Sequence, residues 1–310
     1  MKKLFFIPFL FLGYTSFAQQ DRSTSMGQIT SEELQMTSYA KDSTAKALVL
    51  FEHANYYRDS KSDYRFATDH YKRIKIFNKD AAKEEIIVKI YTGKEGLVKD
   101  IKAVTYYLED GLQKSITLEQ DQIFTSQVSE RFKETSFTLP GVIDGAVIEY
   151  SYKKTTPYLG ISDWYFQSDI PKVRSQFDLA ILGNYQYNMM LSGFLDLDKN
   201  ESSVKDYCME LPDGRVSACA IYSYAMNDIP AFKEEDFMLS KKNYLSRISL
   251  NLKSITTKTN VVAGMGTRVD TKVKNITKTW EDADKALRLD FLNPLNPQVI
   301  WTIFVYNLIK

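Results

Sequence analysis

Hydrophobic and polar residues alternate in short segments along most of the chain. The alternation is clearest at 73–76, where Ile74 and Ile76 occupy one side of a predicted strand and Arg73 and Lys75 occupy the other. A period of two residues is typical of a β-strand. Further strands are predicted at 45–51, 85–91, 101–108, 116–124, 132–139, 146–152, 162–170, 173–182, 204–211, 215–224 and 244–255.

Turn signals separate these segments roughly every ten residues. The signals contain Gly or Pro and lie at 109–111, 140–141, 144–145 and 212–214. Many short strands with closely spaced turns favour antiparallel sheets, and no regular alternation of strands with long amphipathic helices supports an α/β fold. The sequence therefore predicts a mainly β protein, built as an antiparallel β-sandwich over residues 39–258.

Helical signals occur only towards the two ends. Thr30 and Glu33 have the spacing of a capping box, which predicts a short helix within a polar, flexible lead over 19–38. In 279–289 acidic residues come early and basic residues late, as the helix dipole favours, so 259–290 is predicted to be a linker and a C-terminal helix. Residues 291–310 differ in character, with two Asn-Pro breaks and an apolar run, and form an atypical tail.

The first 18 residues have the features of a secretory signal peptide. Lys2 and Lys3 precede an apolar core over 4–12, and Ser16, Phe17 and Ala18 form a small-x-small cleavage site. The core is about half as long as the ~20 residues of a membrane span. We therefore expect export to the periplasm or the extracellular space, with no transmembrane segment after cleavage. A formal net charge of +1 gives no electrostatic reason to expect a nucleic-acid partner.

The two cysteines, Cys208 and Cys219, flank the predicted hairpin turn at Asp213-Gly214. A two-residue turn there places them directly opposite each other, where a cross-strand disulfide fits an oxidising compartment. The alternatives are two buried, unbridged thiols or a shifted register.

Catalytic and metal-binding patterns are weak in this sequence. The chain has two histidines, His53 and His70. His53 ends an apolar run, and His70 shares the face of Ile74 and Ile76 on a strand predicted at 64–77. Each is better explained as a packed or edge side chain than as the base of a Cys–His pair. The spacing of the cysteines is not that of a zinc knuckle. We therefore expect no cofactor, no metal and no enzymatic activity from this chain.

An aromatic run at Trp164, Tyr165 and Phe166 is the strongest binding signal. Three consecutive residues of a strand place at least one ring on each face, so Trp164 and Tyr165 are candidate contacts for a carbohydrate or a peptide. Packing in the core is the alternative, because aromatic side chains dominate core energetics.

Several motifs in order give the chain a family resemblance. They are Tyr39-x-x-Asp42 with Ala45-x-Ala47-Leu48-Val49-Leu50, Arg73-Ile74-Lys75-Ile76, Ile101-Lys102-Ala103-Val104-Thr105-Tyr106, Phe137-x-Leu139-Pro140, Gly145-Ala146-Val147-Ile148-Glu149-Tyr150-x-Tyr152 and Asp163-Trp164-x-Phe166-Gln167-x-Asp169-Ile170-Pro171. Over residues 39–255 the sequence resembles the bacterial domain of unknown function 3857, which typically precedes a transglutaminase-like cysteine domain in secreted proteins of Gram-negative bacteria. Segments 229–235 and 279–282 fit later parts of the same pattern.

The resemblance implies an exported, non-catalytic accessory module whose partner is a transglutaminase-like domain. In the family the catalytic Cys, His and Asp lie beyond the helix at 279–289, and neither Cys208 nor Cys219 matches the catalytic position. This chain leaves the pattern near Asp290, which suggests a truncation, a frameshift or a split gene. Two alternatives remain: a stand-alone module that binds a glycan, a peptide or a protein of the cell envelope, and a truncated transglutaminase-like enzyme.

Overall fold

The protein is described from a computed structural model, which covers residues 25–263 and 266–276 together with Glu281 and Asp284. Within them the fold is mainly β, as predicted. The strands are β1 (Ala47–Asp59), β2 (Arg65–Ile76), β3 (Ile87–Gly93), β4 (Leu97–Glu109), β5 (Leu112–Thr117), β6 (Phe124–Gln127), β7 (Phe132–Thr138), β8 (Val147–Thr156), β9 (Trp164–Tyr165), β10 (Lys172–Leu182), β11 (Tyr185–Ser192), β12 (Lys199–Glu210), β13 (Val216–Ile229), β14 (Arg247–Ala263) and β15 (Gly266–Asn275). The helices are α1 (Ser31–Gln35) and α2 (Lys83–Ile86), and neither has the length or the apolar character of a membrane-spanning helix.

An eight-stranded sheet forms the centre of the fold, in the order β12-β13-β10-β1-β2-β8-β4-β5. Its neighbours pair antiparallel except β1 and β10, which run parallel. A register shift in β1 between Val49 and Phe51 inserts a bulge. Because of this extra residue, Val49 and Glu52 lie on the same face of the sheet, although simple alternation would separate them.

Two small sheets cover one face of the large sheet. The sheet β3-β7-β6 encloses one hydrophobic core with the large sheet, including Ile74 and Phe137. The sheet β11-β14-β15, to which β9 is added, encloses a second core that includes Phe66 and Ile248. Phe66 and Ile74 are eight residues apart on β2 and therefore share a face, so both cores lie on the same side of the large sheet. The result is a sandwich whose second layer is divided in two.

The N-terminal segment covers part of the opposite face. Helix α1 begins with the predicted capping box, in which the Thr30 hydroxyl accepts from the Glu33 N–H and the Glu33 carboxylate accepts from the Thr30 N–H. Lys75 is fully buried beneath this helix and donates to the Leu34 carbonyl oxygen at 2.7 Å. The fully buried Glu149 accepts hydrogen bonds from the Arg73 guanidinium and the Gly27 N–H, both at 2.8 Å. The polar side of the 73–76 strand is therefore a buried interface.

Cys208 and Cys219 form a disulfide with a Cα–Cα distance of 5.6 Å, which links edge strand β12 to β13. The predicted register of this hairpin was wrong. Met209 pairs with Ser217 and Lys205 with Cys219, so a bulge lies between Lys205 and Met209 and the two cysteines are not a directly opposed pair. The bulge contains Tyr207, whose φ is 51°. The pattern of hydrophobic and polar residues along this strand did not predict the bulge.

Several other predictions differ from the structure or lie outside it. The predicted strand at 116–124 is divided between β5 and β6 by a short 3-10 turn at Gln120–Gln122, and only Trp164–Tyr165 of the predicted 162–170 strand is paired. The predicted domain boundary between residues 258 and 259 falls within β14, which forms a long hairpin with β15. The signal peptide, the C-terminal helix apart from Glu281 and Asp284, and the tail at 291–310 lie outside the described residues.

Candidate functional site

A cleft of about 570 Å³ opens on the covered face of the large sheet, beside the small sheet β3-β7-β6. Strands β1, β2 and β8 supply its floor, and helix α2 and the start of β3 supply one wall. It is lined by Glu52, His70, Lys72, Lys83, Glu84, Glu85, Ile87, Val88, Lys89, Tyr150 and Tyr152. Charged side chains at the boundary of two hydrophobic cores make this cleft the main candidate site.

Alternation along β2 places His70 and Lys72 on the floor, because both share the face of Ile74. The bulge in β1 brings Glu52 to the same face, directly opposite Lys72. Since β1 and β10 are adjacent, Lys172 also reaches Glu52, although 120 residues separate them in sequence. Three strands therefore build one polar cluster.

Glu52 is the centre of this cluster and is 7% exposed. Its Oε2 lies 2.5 Å from Lys172 Nζ and accepts from the Ser175 hydroxyl at 3.3 Å. Its Oε1 lies 3.8 Å from Lys72 Nζ and 3.8 Å from His70 Nε2. Lys72 also contacts Glu85 at 3.4 Å, so its ammonium group lies between two carboxylates.

The protonation states in the cluster follow from burial and from these neighbours. Burial raises the pKa of Glu52, but the positive charges of Lys172 and Lys72 outweigh burial and lower this pKa to about 2. Burial also opposes the charge of Lys72, yet Tyr150, Glu85 and Glu52 together raise its pKa. Burial lowers the pKa of Lys172, while its close contact with Glu52 favours the charged form. At neutral pH the carboxylate of Glu52 is therefore ionised.

His70 is neutral at pH 7, because burial lowers its pKa to about 4 against the raising effect of Glu52. Its ring stacks on Tyr152, with ring centroids 4.8 Å apart, and lies 5.7 Å from the Trp164 ring. The Nδ1 atom is buried and has no hydrogen-bond partner among the residues that the structure describes. A neutral imidazole tolerates this environment better than a charged one.

The two aromatic residues singled out in the sequence, Trp164 and Tyr165, are not among the residues that line this cleft. Trp164 is half-buried: its indole N–H donates to Ser175 Oγ at 3.1 Å, and its ring stacks on Phe177 at 5.3 Å. The Tyr165 ring lies under the Arg247 guanidinium, 5.7 Å away, and its carbonyl oxygen accepts from Lys172. Their role as ligand contacts stays a prediction.

The other histidine occupies the opposite face of the large sheet. His53 pairs in register with Tyr71, and its Nε2 lies 2.7 Å from Asp178 Oδ2. Asp178 also accepts from Ser223 Oγ at 2.5 Å. Both cysteines of the sequence are joined in the disulfide, and no group of three or more metal-ligating side chains occurs in the described part of the chain.

Sequence reasoning missed the centre of this cleft. It placed His70 on the face of Ile74, as observed, but it gave no role to Glu52, Lys72 or Lys172. The available signal was a glutamate within the apolar run that begins at Ala47. A buried charge there requires a partner from another strand.

No family model matches this chain, and no curated protein matches it significantly. Among solved structures, the chain is similar to a "putative protease" from Parabacteroides distasonis, with a TM-score of 0.51 and 15% identity over 66% of this chain and 40% of that chain. It also aligns with an M1 zinc metallopeptidase from Deinococcus radiodurans at 10% identity over 78% of this chain and 52% of that chain, but a TM-score of 0.28 carries no argument. The chain thus spans less than two thirds of either structure, and the first similarity shows a shared β fold.

Proposed function

We propose that this chain is an exported, non-catalytic β module that positions a polypeptide for a transglutaminase-like cysteine domain. The supporting observation is the fold similarity to part of a longer chain: two thirds of this protein corresponds to 40% of the Parabacteroides distasonis protein. The ordered motifs shared with the domain of unknown function 3857 point to the same accessory role. The disulfide is consistent with an extracytoplasmic location.

The chemistry of the described residues supports a non-catalytic role. A cysteine nucleophile requires a thiolate and a neighbouring base, and both cysteines are oxidised to the disulfide. The imidazole of His70 contacts Glu52, and that of His53 contacts Asp178, so neither is paired with a thiol.

The experiment measures activity with and without a catalytic partner. The purified protein alone is expected to cleave no labelled casein and to incorporate no labelled amine into it. When the protein is added to a transglutaminase-like domain taken from a full-length member of the resembling family, turnover by that domain is expected to rise. Turnover by the protein alone that iodoacetamide abolishes, or no change in the activity of the added domain, would contradict the proposal.

A second candidate function is a stand-alone glycan- or peptide-binding module, favoured by two half-buried rings, that of Trp164 next to His70 and that of Tyr165 under Arg247. A Tyr165→Ala variant is expected to weaken binding of cell-wall oligosaccharides if this function is correct. Measurement of tryptophan fluorescence during titration checks it, and equal affinities of the variant and the original protein would count against it.

A further inference from the structure

Strand β3 has one unpaired edge. It lies at the end of the sheet β3-β7-β6 and pairs with β7 on one side, and no strand in the described residues pairs with its other side. An edge of this kind presents a row of backbone N–H and C=O groups, which another extended chain can match.

The hydrogen-bond pattern shows which groups face the unpaired side. The Leu139 N–H donates to the Ile86 carbonyl oxygen at 2.9 Å, and these two residues continue the register of β3 and β7. Hydrogen-bonded and non-hydrogen-bonded pairs alternate in an antiparallel ladder. The backbone groups of Val88 and Ile90 therefore point to β7, and those of Lys89 and Tyr91 point away from it.

The cleft adjoins this edge. Ile87, Val88 and Lys89 line one side of it, and Tyr152 lies on its floor. The Ile87 N–H is bonded to the Lys83 carbonyl oxygen at the end of α2, so the unpaired stretch begins after Ile87. An incoming strand beside β3 would continue the small sheet across the polar floor.

The charges that line the cleft balance one another, which favours recognition of the uncharged backbone of a polypeptide. The lining contains three lysines and three glutamates, namely Lys72, Lys83, Lys89, Glu52, Glu84 and Glu85. These charges balance, so the cleft has no strong preference for an anion or a cation. The alternating donors and acceptors of β3 match the backbone of an extended polypeptide.

We propose that the cleft binds an extended polypeptide segment, which adds to the unpaired edge of β3 as a further strand. The proposal deepens the accessory role above and rests on it for the identity of the ligand as a substrate chain. The edge from Lys89 to Tyr91 offers hydrogen bonds to about three residues of an extended chain, in which each residue spans ~3.3 Å. Main-chain contacts supply the affinity, so selectivity for sequence is low.

The test uses proline at an edge-facing position. Lys89→Pro removes an N–H that faces the cleft but leaves the ladder to β7 intact, because Lys89 does not donate to β7. Lys89→Ala keeps the N–H and removes the charge. Thr125→Pro is a matched control, because Thr125 lies on β6 between the hydrogen-bonded Phe124 and Ser126 positions and faces the opposite edge of the same sheet.

The probe is fluorescein-labelled lactalbumin, reduced and carboxymethylated so that it is unfolded, and fluorescence anisotropy measures its binding. We expect Lys89→Pro to bind at least tenfold more weakly than Lys89→Ala, while Thr125→Pro binds within about twofold of the original protein. Circular dichroism verifies folding of each variant. Equal binding by a folded Lys89→Pro variant would overturn the proposal.

A second measurement does not depend on a variant. Amide hydrogen exchange by NMR should slow at Lys89 and Tyr91 when the probe binds, and stay unchanged at Thr125. Unchanged exchange at Lys89 and Tyr91 would refute the proposal, as would a concentration-dependent dimer that occupies this edge and excludes the probe. Probe binding without stimulation of a transglutaminase-like domain would refute the accessory role and leave the binding site standing.

Discussion

Replacement of Glu52 by glutamine tests the buried charge cluster. The pKa of Glu52 falls from its ordinary 4.5 to about 2 because the charges of Lys172 and Lys72 outweigh burial. A carboxyl group whose pKa is lowered on folding stabilises the protein above the pKa of the unfolded state, and this contribution is lost as the pH falls through the folded pKa. The lowered pKa of Glu52 therefore contributes about 3 kcal/mol to the free energy of unfolding at pH 7 and about half of that at pH 3.

Urea unfolding followed by circular dichroism measures the effect. We expect Glu52→Gln to lower the free energy of unfolding by about 3 kcal/mol at pH 7, because glutamine leaves the buried Lys172 ammonium without a counter-charge and leaves Lys72 with Glu85 alone. The difference between the variant and the original protein should shrink to about 1.5 kcal/mol at pH 3.

Glu201→Gln is the matched control. Glu201 pairs with Lys199 at 3.4 Å, but its side chain is 70% exposed, so the same substitution should change the free energy of unfolding by less than about 1 kcal/mol. A Glu52→Gln difference that stays constant from pH 7 to pH 3 would refute the reasoning, since the loss would then not come from the carboxylate charge.

Three further predictions concern stability. His70 is buried in the neutral form with a pKa of about 4, so the protein should lose about 2 kcal/mol between pH 7 and pH 5, and His70→Gln should lack this loss in urea unfolding at the two pH values. Replacing both Cys208 and Cys219 by serine should lower the free energy of unfolding by about 3 kcal/mol, because the disulfide restricts the unfolded chain even though the loop that it closes is short. Unchanged unfolding of the original protein after reduction would contradict this. Trp164→Phe should cost about 1 kcal/mol, because it removes the donor to Ser175 but keeps an aromatic ring, and the change in urea midpoint checks it.

Local sequence patterns predicted the structure correctly where the relevant residues lie within one strand or one turn. The capping box at Thr30 produced a helix, and the alternation at 73–76 placed Ile74 and Ile76 in the core. Prediction failed where the backbone departed from regular alternation. The bulge between Lys205 and Met209 shifted the cysteine hairpin, and the bulge after Val49 moved Glu52 to the cleft face.

The sequence by itself determined the fold class, the short N-terminal helix and the face on which His70 lies. Only the tertiary structure decided which strands became neighbours, and hence that Lys172 reaches Glu52 and that one edge of β3 opens onto the cleft. The physical reason is that periodicity reports which side of its own strand a residue occupies. The residues that a side chain contacts on that side depend on strand order, bulges and the packing of separate sheets, which are properties of the whole chain.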